Sequence, residues 1–295
     1  MNEEERFTKK GLNIYLYYLT IPAFFVLLVI SKYTNNYHIE ALDLNLMISI
    51  VSFLFGFFIT ITFSMILARI ASLKDFLAAE TASLVSLFQM SKSLGNKFNE
   101  KIREHVDNYT VNTLRDYTNY EVGRDSIYRM YDDLRFVDFK TETQKQISGS
   151  FITALGNLEN IREHLEYLTS GGLLWAMKFA NYLLAIILMG LLFLNRGTDF
   201  TNWLFVILSS TIIFILLVIE DYEALRIGDY TFNISNSEQL FDLIGTNRYY
   251  PRYLLKRVNL EKGKVYRVGI YDKELRRERV VNMRYDPRTF WRFRV

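Results

Sequence analysis

The sequence predicts an all-α integral membrane protein with a long water-exposed middle, and three observations carry that expectation. Four apolar runs, at 11–31, 44–68, 173–195 and 200–219, form two close pairs around a polar segment, and only Lys178 puts a charge inside any of them. A helix needs about 20 apolar residues to cross the hydrocarbon core of a bilayer, and each run is long enough. Half of the 295 residues are hydrophobic, while three prolines leave little to interrupt long helices.

The first run follows a charged leader, is longer than a usual signal core and has no small-residue cleavage site after it, so it is expected to stay as a membrane helix. Arg6, Lys9 and Lys10 precede it, Arg69 and Lys74 follow the second run, and Arg226 follows the fourth; the two short connections hold only Lys32 and Arg196. Cations beside membrane helices are retained on the cytoplasmic side. Both termini and the middle segment are therefore expected in the cytosol of a cell-membrane protein. His38, Glu40, Asp43 and Asp199 are then nearly all the ionisable groups of the outer face. The expected organisation is 1–72 with membrane helices one and two, 73–170 as a cytosolic helical region, 171–222 with membrane helices three and four, and 223–295 as a cytosolic C-terminal region.

Within 83–117 the residues Leu84, Leu87, Phe88, Leu94, Phe98, Ile102, Val106, Tyr109 and Leu114 follow the spacing of an amphipathic helix, into which the second membrane helix is expected to run. A second stripe, Ile147, Phe151, Ala154, Leu158, Ile161, Leu165 and Leu168, alternates steps of four and three and needs a partner. The first stripe is the simplest one, in an antiparallel pair with Gly123 and Gly149 near the breaks, and Ser170, Gly171 and Gly172 mark the re-entry into the bilayer. Aliphatic stripes at this period are core rather than ligand sites. Tyr117, Tyr120, Tyr128 and Tyr131 are assigned to subunit contacts.

Beyond Asn247 lie 15 basic and 5 acidic residues, a tail of charge +10 on a remainder of −7. Its alternation is two-fold: 264–271 and 279–285, rich in Val, Ile and Tyr and joined through 272–277, are expected to form a β-hairpin. Such a hairpin fits anionic headgroups or a nucleic acid. The acidic remainder of its own or a neighbouring subunit is the expected partner, because it carries the compensating charge; without a recognised motif, no nucleic acid is expected.

Enzymatic chemistry finds no support. The chain has no cysteine, which excludes disulfides and thiolate metal sites, and His38, His105 and His164 are far apart without a positioned proton partner. There is no Gly-rich phosphate loop and no nucleophile elbow. No cofactor and no metal are expected.

The second membrane run carries the most informative pattern. Ser49, Ser52, Gly56, Thr60 and Ser64 step by three and four and share one helix face. Small and hydroxyl residues at this spacing suit either a pore lining or close helix packing. Phe53 and Phe57, beside Gly56, favour the pore, as a greasy constriction that gates by dewetting. Four helices cannot enclose such an axis, so several identical subunits must meet around it in a closed ring.

The order Ser52-Phe53-Leu54-Phe55-Gly56-Phe57-Phe58-Ile59-Thr60 resembles the neck of the bestrophin channels, whose second helix carries Ser, Phe, Gly, Phe and Thr in the same order. The layout is similar too: four membrane helices in two pairs, a cytosolic helical region between them and both termini inside. Glu80-Thr81-Ala82-Ser83-Leu84, Ile219-Glu220-Asp221-Tyr222 and Ile227-Gly228-Asp229 further resemble prokaryotic bestrophin-like proteins, so the resemblance covers 44–245. It implies a homopentamer around one ion-conducting axis, with Phe53 and Phe57 as neck rings and a lean to anions such as chloride. Ser49 falls where a third bulky apolar residue is expected, which widens or wets the outer end of the neck. Glu220, Asp221, Glu223 and Asp229 are scattered rather than contiguous, so the calcium-binding acidic cluster of animal bestrophins is not reproduced.

Two charges bear on selectivity. Lys178 either reaches the interface along its stem or attracts anions towards a pathway. Glu80 either faces the axis, where a ring of carboxylates favours cations, or forms a salt bridge. The expectation is passive conduction of small inorganic ions across the lipid bilayer through an axis lined by Ser49, Ser52, Phe53, Gly56, Phe57, Thr60 and Ser64. Its rival is a membrane-anchored scaffold whose cytosolic helices and basic hairpin bind a partner.

Overall fold

A computed structural model describes residues 16–34, 44–115, 123–223, 230–252, 255, 258–272 and 277–286. Arg6, Lys9, Lys10, His38, Glu40, Asp43, Tyr117, Tyr120, Arg226 and Asp229 lie outside the described residues. A 3-10 turn, Leu16–Leu19, leads into α1 (Thr20–Tyr33), followed by α2 (Leu44–Leu94), α3 (Asn96–Arg115), α4 (Arg124–Arg135), α5 (Glu142–Ser170), α6 (Trp175–Leu194), α7 (Asp199–Glu223) and α8 (Tyr230–Ile244). Three strands follow, β1 (Tyr249–Pro251), β2 (Val265–Asp272) and β3 (Arg277–Arg284). The chain is mostly helical. Among the described residues, four helical segments are long and apolar enough to cross a membrane: one from Leu16 to Tyr33, α2, one that includes α6, and α7.

Two compact units are distinguished. One comprises Asn13–Ala71 and Gly171–Gly228. Its core joins Phe55, Ile59 and Ile66 of α2 to Ala185 and Leu188 of α6 and to Ile212, Leu216 and Ile219 of α7. Pro22 sits in the first turn of α1, where a missing backbone N–H costs no helical hydrogen bond. Thr198 caps α7 by accepting from the Thr201 amide at 3.2 Å. The connection between α6 and α7 holds a fully buried arginine. Arg196 donates to the Phe193 carbonyl at 2.8 Å, to Thr34 Oγ1 at 3.0 Å and to the Thr34 carbonyl at 3.1 Å, and its guanidinium lies 3.8 Å from the Phe193 ring centroid.

The other unit comprises Met1–Leu12, Ser72–Ser170 and Asp229–Val295. The two amphipathic stripes meet in it as expected, with Phe98 of α3 edge-on to Phe151 of α5 at 5.4 Å in a core that includes Ile102, Val106, Leu155 and Leu158. Three details differ from the sequence reading. The first stripe is divided, because α2 ends at Leu94 and α3 begins at Asn96, with Gly95 between them at φ +125°, a conformation open to a residue without Cβ. Gly149 lies inside α5 and marks no break, whereas Gly123 directly precedes the separate helix α4. The buried row of α5 is Phe151, Leu155, Leu158, Arg162 and Leu165, so a charged residue takes the core position assigned to Ile161. Reciprocal capping starts α5: the Gln144 amide donates to Thr141 Oγ1 at 3.2 Å and Gln144 Oε1 accepts from the Lys140 amide at 2.8 Å.

The C-terminal hairpin is present, with β2 and β3 antiparallel from Val265 opposite Arg284 to Asp272 opposite Arg277. The sheet has a third strand that the sequence did not reveal: β1 pairs in parallel with β2, placing Tyr250 opposite Val268. Only three residues long and ending in Pro251, β1 carries no alternation to read. Part of the tail's charge is met within the chain. Arg267 grips Asp107 of α3 through two hydrogen bonds of 2.5 and 2.6 Å, and Arg248 binds Asp242 at 2.5 and 3.0 Å and Glu238 at 2.9 Å. Such bidentate pairs fix geometry as well as charge.

Phe151 is fully buried at the centre of the larger core. Phe151→Ala is expected to cost about 3–5 kcal/mol, read as a lowered midpoint in denaturant unfolding of the detergent-solubilised protein.

Candidate functional site

The membrane part of α2 has one face committed to its own protomer and one face open. Phe55, Ile59, Thr62 and Ile66, at steps of four, three and four, are buried against α6 and α7. Thr62 is the polar member of this row, and it is satisfied twice: it donates to the Phe58 carbonyl at 2.9 Å and accepts from Asn181 Nδ2 at 2.8 Å. All seven residues assigned to the pore lining, Ser49, Ser52, Phe53, Gly56, Phe57, Thr60 and Ser64, are exposed in the protomer. Phe53 is 72% and Phe57 55% exposed, and a Cβ placed on Gly56 would meet nothing within 4 Å. Two of the hydroxyls have local partners, with Ser49 donating to the Asn45 carbonyl and Thr60 to the Gly56 carbonyl, both at 2.8 Å. A hydroxyl satisfied in this way loses little in lipid, so these hydroxyls alone do not call for water.

In the other unit α2 has an exposed row of its own, Asp75, Ala78, Ala82, Ser86 and Gln89, at steps of three and four. Asp75 is the only ionisable residue among them.

The two residues considered for selectivity are both engaged elsewhere. Glu80 is 6% exposed and lies on the covered side of α2, accepting from Arg162 Nη1 at 3.0 Å and from the Tyr109 hydroxyl. The salt-bridge alternative is therefore the one observed, and no carboxylate is presented at this position. Arg162 is 2% exposed and its guanidinium stands 5.3 Å from the Tyr109 ring centroid. Burial, then the Glu80 charge, pushes the Tyr109 hydroxyl well above its ordinary pKa, so it remains a donor. Gly123 closes the cluster, since a Cβ there would lie 2.7 Å from Tyr109 Cε2 and 3.3 Å from Arg162 Nη2.

Lys178 is half-buried, with Nζ 2.5 Å from Glu223 Oε2 and 3.8 Å from Glu220 Oε1. Glu223 also accepts from the Leu173 amide at 3.0 Å, and Glu220 from the Tyr182 hydroxyl at 2.7 Å. The ammonium is thus tied to two carboxylates of α7 rather than offered to passing anions. Sequence reasoning missed Tyr109, Arg162 and Glu223 as partners. A cation inside the aliphatic row of α5 was the available signal for the first pair.

The described histidines have ordinary roles. His105 lies 2.8 Å from Asp133, which also takes Lys101 at 2.5 Å, and His164 stacks on Phe76 at 4.8 Å. Burial works to raise the Asp133 carboxyl, and hydrogen bonds from Lys101 and His105 outweigh it, leaving it below the usual carboxylate range. Among the described residues no group of three or more His, Asp or Glu side chains could hold a metal ion.

Solved structures share this architecture. A single-site variant of a protein described only as a membrane protein aligns with a TM-score of 0.61 at 10% identity, over 79% of this chain and 98% of that one. A single-site variant of a bacterial bestrophin homologue from Klebsiella pneumoniae aligns with a TM-score of 0.60 at 12% identity, over 79% of this chain and 99% of that one. A second variant of that homologue gives 0.57 at 13% identity, over 79% and 97%. No family model and no curated protein matches the sequence. The chain has a bestrophin-like fold, built into a membrane protein.

Two outcomes follow from the charges. Arg162→Met leaves Glu80 buried without its counter-charge and is expected to destabilise by about 3–5 kcal/mol in denaturant unfolding, with Glu80→Gln in the same chain restoring part of the loss. Asp133 has a folded-state pKa below its unfolded value of about 3.9, so its stabilisation is complete above that value and disappears as pH falls through the folded-state pKa. Unfolding midpoints should therefore drop below about pH 4, and Asp133→Asn should flatten that limb of the profile.

Proposed function

We propose that this protein is a bestrophin-like ion channel in which identical copies, five by analogy with the bestrophins, turn the open face of α2 towards a shared axis. The observation that carries this reading is that Phe53, Gly56 and Phe57 lie together on a face that the protomer leaves uncovered. Residues packed within one protomer could not line a shared path. The bestrophin-like fold and the Ser-Phe-Gly-Phe-Thr order of the neck support the same assignment.

Conduction is passive. Phenylalanine rings narrow an apolar neck whose water is lost and regained at low cost, while Ser49, Ser52, Thr60 and Ser64 lie along the same face as weak replacements for hydration. The protein resides in the cell membrane with both termini in the cytosol, as Arg69 and Lys74 beside α2 favour. The neck itself is neutral and selects no sign of charge; the bestrophin analogy alone leans to anions.

Purified protein in liposomes should dissipate an ion gradient, and the detergent-solubilised assembly should have the mass of a closed ring. Phe53→Ala with Phe57→Ala should raise the leak about tenfold, the effect of lowering a barrier by about 1.4 kcal/mol. Unchanged permeability, or a monomeric or dimeric mass, would favour a membrane-anchored scaffold instead.

A further inference from the structure

We propose that the free edge of β3 takes up an extended acidic segment of a partner protein, which pairs with it through the main chain as a further strand of the sheet. This goes beyond the channel reading and does not depend on it. The residues concerned all belong to one compact unit.

The register of the sheet identifies the main-chain groups that are left over. Arg267 of β2 donates its amide to the Arg248 carbonyl at 2.8 Å, so the odd-numbered residues of β2 turn their main-chain groups towards β1 and the even-numbered ones towards β3. Tyr266 stands opposite Met283 and Val268 opposite Val281, which makes the odd-numbered residues of β3 the ones that face β2. The Tyr285 amide keeps the same phase, donating to the Lys264 carbonyl at 2.9 Å. Val280, Asn282 and Arg284 therefore direct their main-chain N–H and C=O away from the sheet. Among the described residues nothing bonds to these outward groups. A row of unmet donors and acceptors at strand spacing is a template for another strand.

The two edges of the sheet differ. At one edge β1 is three residues long, entirely buried and closed by Pro251, all of which discourage an added strand. At the other, β3 runs for eight residues without a proline, and Arg279, Val280, Asn282 and Arg284 are exposed. Charge then selects the occupant. Arg248 and Arg267 are matched by carboxylates of their own unit, whereas Arg279 forms no ion pair among the described residues and Arg284 reaches only the Gly263 carbonyl, at 2.9 Å. A second copy would bring the same two cations to the edge and be repelled by them. An anionic headgroup would answer the charge and leave the main-chain groups unmet. An acidic extended segment answers both, with main-chain bonds giving affinity and side chains giving specificity.

The test is fluorescence anisotropy of a short labelled peptide of valine and glutamate, titrated with the full-length protein in detergent. Binding should saturate, and the same peptide with lysine in place of glutamate should not bind. Asn282→Pro removes one outward N–H and leaves the ladder to β2 intact, because proline is tolerated where that N–H faces solvent. It should weaken binding about tenfold, roughly the value of one main-chain hydrogen bond, with an unchanged unfolding midpoint. Arg279→Glu with Arg284→Glu should exchange the preference to the lysine peptide. Hydrogen exchange at the Val280 and Asn282 amides should slow when peptide is bound. No saturation at millimolar peptide, equal binding of the two peptides, or full binding by Asn282→Pro would each overturn the proposal. An assembly mass that rises with protein concentration and falls back in Asn282→Pro would assign the edge to a second copy instead. Displacement of the peptide by phosphatidylserine, with Asn282→Pro binding as wild type does, would assign it to headgroups.

Discussion

The rotation of α2 about its own axis is the constraint on which the rest of the structure depends, and buried polar groups set it. An ion withdrawn from water costs several kcal/mol unless it is paired, so Glu80 has to face Arg162 and the Tyr109 hydroxyl. Eighteen residues earlier, Thr62 faces Asn181 for the same kind of reason. Each pair fixes the inward side of α2 within its own unit. In the unit that holds Thr62, the side with Phe53 and Phe57 is left outward as a geometric remainder. Apolar packing alone would not be so strict, because a helix that is hydrophobic all round can present several faces to its neighbours.

Much of this was legible in the sequence wherever the signal is local. The four spans follow from uninterrupted apolar length, and the facing rows of α3 and α5 from steps of three and four. The hairpin follows from two-fold alternation, and the open face of α2 from small and hydroxyl residues four apart. Contacts between distant segments were not legible. Glu80 and Arg162 are 82 positions apart, and nothing near Glu80 distinguishes an outward carboxylate from an inward one. The glycines show the same limit: Gly95 breaks a helix and Gly149 does not, and only the backbone conformation imposed by packing separates them.

The C-terminal region illustrates how charge balance is resolved in space. A tail of +10 joined to a remainder of −7 suggests attraction but no particular pairs. The structure resolves part of it through Arg267 on Asp107 and Arg248 on Asp242 and Glu238. Arg267 also stacks 5.1 Å from the Phe241 ring centroid, so a planar cation meets both a carboxylate and an aromatic face. These contacts join β2 to α3 and α8, and with Tyr250 and Val268 they make the small sheet part of its unit rather than an appendage.

Arg196 has a different consequence. Its guanidinium is enclosed by backbone carbonyls, a threonine hydroxyl and two phenylalanine rings, with no carboxylate among its described partners. Arginine keeps its proton throughout the physiological range, and amide oxygens do not titrate there. The clasp that ties the end of α1 to the bend between α6 and α7 therefore has no protonation switch of its own. Whatever acidity prevails around that bend, its electrostatic fastening is the same.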